Sequence, residues 1–130
     1  MNDGVPEVIE RYWDALARND LRGAASFLHE AFTEDWPQSG ERIVGAESWL
    51  AMVTRHPTFP AVTPRSHEGR EDLWVSQAHF EYPTDDGEPA PYEVCSIQWL
   101  RDGKILRIVE YFAAPFEPAA WRADIVQRVR

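Results

Sequence analysis

Between Val8 and Gly45 the spacing of apolar residues changes from steps of three and four to an extended run, and that change restricts the chain to folds mixing helix with sheet. Val8, Ile9, Tyr12, Trp13 and Leu16 form the stripe of an amphipathic helix, with Pro6 acceptable in its first turn. Asn19-Asp20 interrupts the stripe, and Asp20 is placed to cap a second short helix through Ala24, Ala25, Phe27 and Leu28. Phe32 to Gln38 reads as extended and Ser39-Gly40-Glu41 as a turn. Trp49, Met52 and Val53 mark a third helical stripe that Pro57 must stop. Pro57, Pro60 and Pro64 then predict a connecting loop with little regular structure.

The second half reads as strands. Leu73 to Tyr82 and Tyr92 to Leu100 alternate in part, and Asp102-Gly103 is a tight-hairpin signal joining the latter to Lys104–Phe112. Pro83 to Pro91 is an acidic, proline-rich loop. Trp121, Ile125 and Val129 recur every four residues, which predicts a short C-terminal helix over 118–130. The order predicts a single α+β domain over 1–130, with helices gathered against one face of a curved antiparallel sheet. At 130 residues the chain supports one core. A bent sheet closed on one side by helices leaves a cone-shaped interior suited to a small molecule.

Charge and composition remove several function classes. The formal net charge is −9, and residues 1–100 hold 7 basic against 18 acidic groups. That disfavours nucleic acid, and Arg122, Arg128 and Arg130 read as a solvated helix face. No stretch approaches the ~20 apolar residues of a membrane span, and Met1-Asn2-Asp3-Gly4 lacks the basic start of a signal peptide, so the expected location is the cytoplasm. Cys95, the single cysteine, excludes an intramolecular disulfide and reads as a small buried hydrophobe. The seven glycines form no phosphate-cradling spacing. His29, His56, His67 and His79 are scattered without metal-ligand spacing, and no nucleophile elbow is present. The expectation is acid–base chemistry without cofactor or metal, or binding alone.

Taken in order, Ile9-Glu10-Arg11-Tyr12-Trp13-Asp14-Ala15-Leu16, Asn19-Asp20-Leu21, Phe32-Thr33-Glu34-Asp35-Trp36-Pro37, Gly45, Asp102-Gly103-Lys104 and Glu110-Tyr111-Phe112 resemble the nuclear-transport-factor-2-like superfamily. That group includes the SnoaL-like polyketide cyclases and the ketosteroid isomerases. The resemblance implies a cone-shaped α+β barrel: a strongly curved antiparallel sheet, about three N-terminal helices on its concave side and a short C-terminal helix. It also implies a homodimer packed through the sheet, for which Trp74, Trp99 and Tyr92 offer apolar area. In ketosteroid isomerases a helix-one tyrosine donates to the substrate oxyanion and a first-strand aspartate is the base. Those roles fall on Tyr12 and Asp35, while the family's second acid falls near Cys95 or Ser96, where no carboxyl stands.

The residues leave alternatives beside these roles. Asp35, flanked by Trp36 and Pro37, is either a partly desolvated base or a carboxylate facing water. Glu110 shares a strand phase with Leu106, Ile108 and Phe112, which makes it a second candidate acid unless it lies at an exposed strand end. Gln77, His79 and Glu81 form a polar ladder that is either a proton relay or a solvent face. Trp13, Trp36, Trp49, His79 and Phe112 are the candidate ligand contacts. The function expected is an isomerase or cyclase acting on a small apolar carbonyl compound. The alternatives are a non-catalytic binding or dimerisation domain, and a dehydratase or epoxide hydrolase.

Overall fold

A computed structural model describes residues 4–56 and 59–129. Helices α1 (Glu7–Ala17) and α2 (Leu21–Ala25) lead into strands β1 (Leu28–Trp36) and β2 (Glu41–Val44), followed by α3 (Ala46–Arg55). Four long strands complete the chain: β3 (Ala61–Arg70), β4 (Leu73–Tyr82), β5 (Ala90–Arg101) and β6 (Lys104–Ala113). The six strands form one curved, open sheet in the order β2-β1-β6-β5-β4-β3.

Helix α1 forms where the stripe predicts, and it buries Ile9, Tyr12, Trp13, Ala15 and Leu16. Asp20 caps α2 by accepting a hydrogen bond from the Gly23 backbone N–H at 3.0 Å. At the Asp102-Gly103 turn both residues have positive φ, 53° and 73°, the pair that matches a two-residue turn to the strand twist. The core is the inner face of the sheet against α1 and α3, built on Trp13, Phe32, Trp49, Trp74, Phe80 and Ile108.

Four expectations need correction. The sheet is mixed, because β1 lies parallel to β6 while every other pair is antiparallel. Only the β1–β2 and β3–β6 runs are joined by hairpin-length connections; α3 carries the chain across the sheet from one edge to the other. The segment after Pro60 is a ten-residue strand, because Pro64 sits where the β3–β4 register shifts and the ladder tolerates a missing N–H. The stop at Pro57 lies outside the described residues. The C-terminal segment is no α-helix: one 3-10 turn forms at Ala120–Arg122. Trp121 is 76% exposed and Ile125 74%, and so short a helix without a face to bury is marginal in water. Cys95 is only half-buried, since alternation from the buried Val94 and Ser96 turns it to the open face.

One glycine is fixed by close approach. A Cβ on Gly69 would stand 2.2 Å from the Leu73 carbonyl oxygen and 2.8 Å from the Trp74 Cα, both backbone atoms. Gly69→Ala is therefore expected to destabilise the β3–β4 end by roughly 1–3 kcal/mol, read as a lower urea midpoint.

Candidate active site

Alternation on four strands decides what the interior contains. On β1, Phe32, Glu34 and Trp36 point inward at two-residue steps; on β6, Ile108, Glu110 and Phe112 do the same. Glu34 pairs with Ile108 across the parallel β1–β6 ladder, so Glu34 and Glu110 are diagonal neighbours on one face. A register shift between Trp99 and Leu100 on β5 admits an extra residue in β6, which lets both Ile105 and Ile108 reach the core. Ser96 on β5 stands opposite Glu110, and Ser76 on β4 opposite Ser96.

Glu34, Trp36, Glu110 and Phe112 line a cavity of about 580 Å³, within the range of small-molecule sites. Tyr12 and Leu16 contribute from α1, Trp49, Met52 and Val53 from α3, and Phe80 and Tyr82 from β4. Trp36, Tyr92, Glu110 and Phe112 complete the sheet wall, with His56, Gln38 and Ser39 also on the lining. Gln38 is pinned by a reciprocal pair: its Nε2 donates to the Phe112 carbonyl at 2.8 Å, and its Oε1 accepts from the Phe112 N–H at 2.6 Å. That pair extends the β6 ladder to the loop after β1.

The two carboxyls are the polar centre. Glu34 is 2% exposed and Glu110 7%. The Trp36 indole N–H donates to Glu34 Oε2 at 2.8 Å, while Glu34 Oε1 is buried without a hydrogen-bond partner among the described residues. Burial pushes Glu34 well above the carboxylate range and the nearby Glu110 adds to this, opposed by the Trp36 indole and by the Trp49 indole, which lies near enough to act on the charge without the geometry of an ordinary hydrogen bond. Burial likewise raises Glu110 to about 7, opposed by the adjacent Ser96. The Ser96 hydroxyl lies near enough to act on that charge, yet it makes no hydrogen bond of ordinary geometry among the described residues. Both carboxyls therefore hold their protons to higher pH than exposed carboxylates do, and they titrate as one coupled pair. Tyr12 is held neutral because burial, then Glu34, then Glu110 disfavour its phenolate.

Beside the cavity, a second polar group is fully satisfied. Gln98, buried on β5, accepts from the Trp13 indole N–H at 2.8 Å and donates to the Ser96 carbonyl at 2.9 Å. Ser76 joins it to His67, whose Nδ1 lies 2.7 Å from the Ser76 hydroxyl. This network locks β4, β5 and α1 behind the carboxyls.

Of the expected residues, the structure brings Tyr12, Glu110, Trp36, Trp49 and Phe112 to the cavity, and turns Asp35, His79 and Trp13 elsewhere. Asp35 occupies the opposite face of β1, bound to Arg42 at 2.6 and 3.0 Å with Arg107 at 3.5 Å. Its hydrogen bond with Arg42, then the charges of Arg42 and Arg107, hold it below the usual aspartate value, which is the reverse of a tuned base. The reason is phase: the large apolar neighbours Phe32 and Trp36 take the inside, and Asp35 alternates out. His79 also faces outward, between Glu93 at 2.8 Å and Glu81 at 3.1 Å, so the β4 ladder is an outer face rather than a relay into the cavity. Trp13 packs in the core behind the wall, edge-on to Tyr12. The residue that sequence reasoning missed is Glu34, and the signal was present: it sits two residues from both Phe32 and Trp36. Asp35→Asn is accordingly expected to leave turnover within about twofold of the parent, since it changes only an exposed ion pair; steady-state rates check this.

Among the described residues no group of three or more His, Cys, Asp or Glu side chains gathers to hold a metal ion. None of the described helices is long and apolar enough to cross a membrane.

An open curved sheet closed by helices over an apolar, acid-containing cavity defines the cone-shaped nuclear-transport-factor-2-like class. The SnoaL-like domain model matches residues 9–108, and the chain belongs to that family. Among solved structures it is similar to a nuclear-transport-factor-2-like protein of unknown function from Burkholderia xenovorans LB400. Identity there is 31% with a TM-score of 0.83, over 95% of this chain and 94% of the other. A putative ketosteroid isomerase from Kribbella flavida shares the fold at 20% identity and TM-score 0.83, over 96% and 89% of the two chains. TerC, crystallised with polyporic acid, does so at 20% identity and TM-score 0.73, over 82% and 88%. No curated protein matches the chain.

Proposed function

We propose that this chain is a cofactor-free acid–base enzyme of the isomerase or cyclase kind, acting on a small apolar carbonyl compound. One observation carries the reading: two buried carboxyls face a single apolar cavity beside the Tyr12 hydroxyl, with no lysine or arginine among the described lining residues. Ionised Glu110, titrating near 7, removes a proton from the carbon next to the carbonyl. Protonated Glu34 and the Tyr12 hydroxyl donate to the oxygen on which the enolate charge develops. Glu110 then returns the proton at another carbon of the conjugated system, or the enolate carbon attacks a second carbonyl carbon of the substrate to close a ring, the C=O π pair moving to that oxygen, which takes the proton from Glu110. The aromatic walls hold the apolar body of the substrate beside the carboxyls.

The test is exchange of α-protons into D2O for a panel of apolar cyclic and aryl ketones, followed by NMR. Catalysed exchange is expected, and binding of the ketones without exchange would leave a non-catalytic binding domain.

We propose further that the open face of the sheet seats a second copy of this chain. Leu73 is 45% exposed there, and Val75, Ile97 and Trp99 are half-buried around it, with Arg107 lying 4.7 Å over the Trp99 ring. Trp74 and Tyr92 do not contribute, since both point inward. Light scattering at micromolar concentration is expected to give a dimer mass, and a monomer counts against it.

A further inference from the structure

The cavity wall carries the carboxyls of Glu34 and Glu110 and, among its described lining residues, no lysine or arginine. Arg42 and Arg107 are engaged by Asp35 on the opposite face. The other titratable groups on the wall are Tyr12 from α1, His56 after α3, Tyr82 from β4 and Tyr92 from β5. Burial pushes Tyr82 up to about 12, so it remains a neutral ring, and Tyr12 is neutral for the same reason. His56 packs against Tyr82 with ring centroids 5.5 Å apart.

The walls are aromatic in an unbroken series. Ring centroids lie 6.2 Å apart from Trp36 to Phe112, 6.0 Å to Phe80, 6.3 Å to Tyr82 and 5.4 Å to Tyr92. Trp49 and Tyr12, 6.1 Å apart, face this belt from the helices. Rings attract cations through their negative faces, most strongly where water is excluded. On the same wall Glu34 Oε1 is buried without a hydrogen bond of ordinary geometry among the described residues.

We propose that the cavity takes a small organic cation, an ammonium group carried on an otherwise apolar molecule, held between the aromatic belt and the Glu34–Glu110 pair. This rests on the same cavity as the catalytic reading and narrows it: the carbonyl compound is an aminoketone. A bound cation adds positive charge beside the carboxyls, where the described lining offers no lysine or arginine, and methyl groups on its nitrogen suit the apolar walls. Bound cation favours the ionised carboxyls, so binding near neutral pH releases a proton to solvent. Affinity consequently rises between pH 6 and pH 8 as Glu110 ionises.

Choline and tetramethylammonium would be titrated calorimetrically against 3,3-dimethylbutan-1-ol, the uncharged carbon isostere of choline, in two buffers of different ionisation enthalpy. The cations are expected to bind at least about tenfold more tightly than the isostere, with proton release in both buffers. A Glu34→Gln/Glu110→Gln double variant, checked for folding by circular dichroism, should lose that preference, and Phe112→Leu should weaken cation binding while leaving the carboxyls in place. Equal or tighter binding of the isostere, no cation binding up to tens of millimolar, or a preference that survives the double variant would overturn the proposal. The two readings fail separately: exchange of neutral ketones without cation preference removes only the aminoketone, and cation preference without exchange of any ketone removes only the catalysis.

Discussion

Glu110→Gln is expected to lower catalysed α-proton exchange by about 10²–10⁴-fold while ketone affinity changes little, because the amide keeps the shape of the carboxyl and loses only the base. Glu34→Gln tests the complementary role. Its amide still donates a hydrogen bond, so the loss should be smaller than for Glu110, and Tyr12→Phe, which deletes a donor outright, should fall between them. The pH profile separates the two carboxyls further. Exchange should rise as pH passes through about 7, since the ionised form of Glu110 is the active one. With Glu110 as the base, Glu34→Gln should lower the height of that rise and keep a rise near neutrality. If Glu34 were the base, the rates would reverse in order and the midpoint would vanish in Glu34→Gln. Initial rates by NMR between pH 5.5 and 8.5 measure both.

The error at Asp35 shows where sequence reading ends. The first helix, the Asp20 cap, the Asp102-Gly103 turn and the facing of Glu110 all follow from local chemistry that the surroundings do not override. The first strand was legible too, since Phe32 and Trp36 fix its inner face; residue type, an aspartate where isomerases have one, pointed to the neighbour instead. A step of one residue in a strand reverses the face, so the difference between a cavity carboxyl and a surface ion pair is a single position. Other features had no local signal. The parallel pairing of β1 with β6 depends on where the chain re-enters the sheet after α3, and β3 forms despite Pro60 and Pro64 because β4 offers it a partner along its whole length. The tail fails to become a helix for the converse reason: Trp121, Ile125 and Val129 have the spacing and lack a surface to cover.

The same burial that tunes the carboxyls should cost stability, and the direction with pH is fixed. A carboxyl whose folded value lies above its ordinary one binds its proton more tightly in the native state. Stability is then greatest below 4.5 and declines as pH rises toward about 7, for Glu110, and further for Glu34, whose value is pushed well above the usual range. The displacement of Glu110 alone corresponds to roughly 3 kcal/mol, a large part of the 5–15 kcal/mol typical of a domain. Asp35 works in the opposite sense, but its contribution is lost only as pH falls through values below its ordinary 3.8, outside this window. Urea unfolding of the parent should therefore weaken between pH 5 and pH 8, and Glu110→Gln should flatten that slope and exceed the parent in stability at pH 8. A variant that is more stable and nearly inactive would identify Glu110 as a group retained for chemistry against the interest of the fold. Parallel pH curves for parent and variant would mean instead that water reaches the carboxyl in the native state, which would remove the basis for a base poised near neutrality.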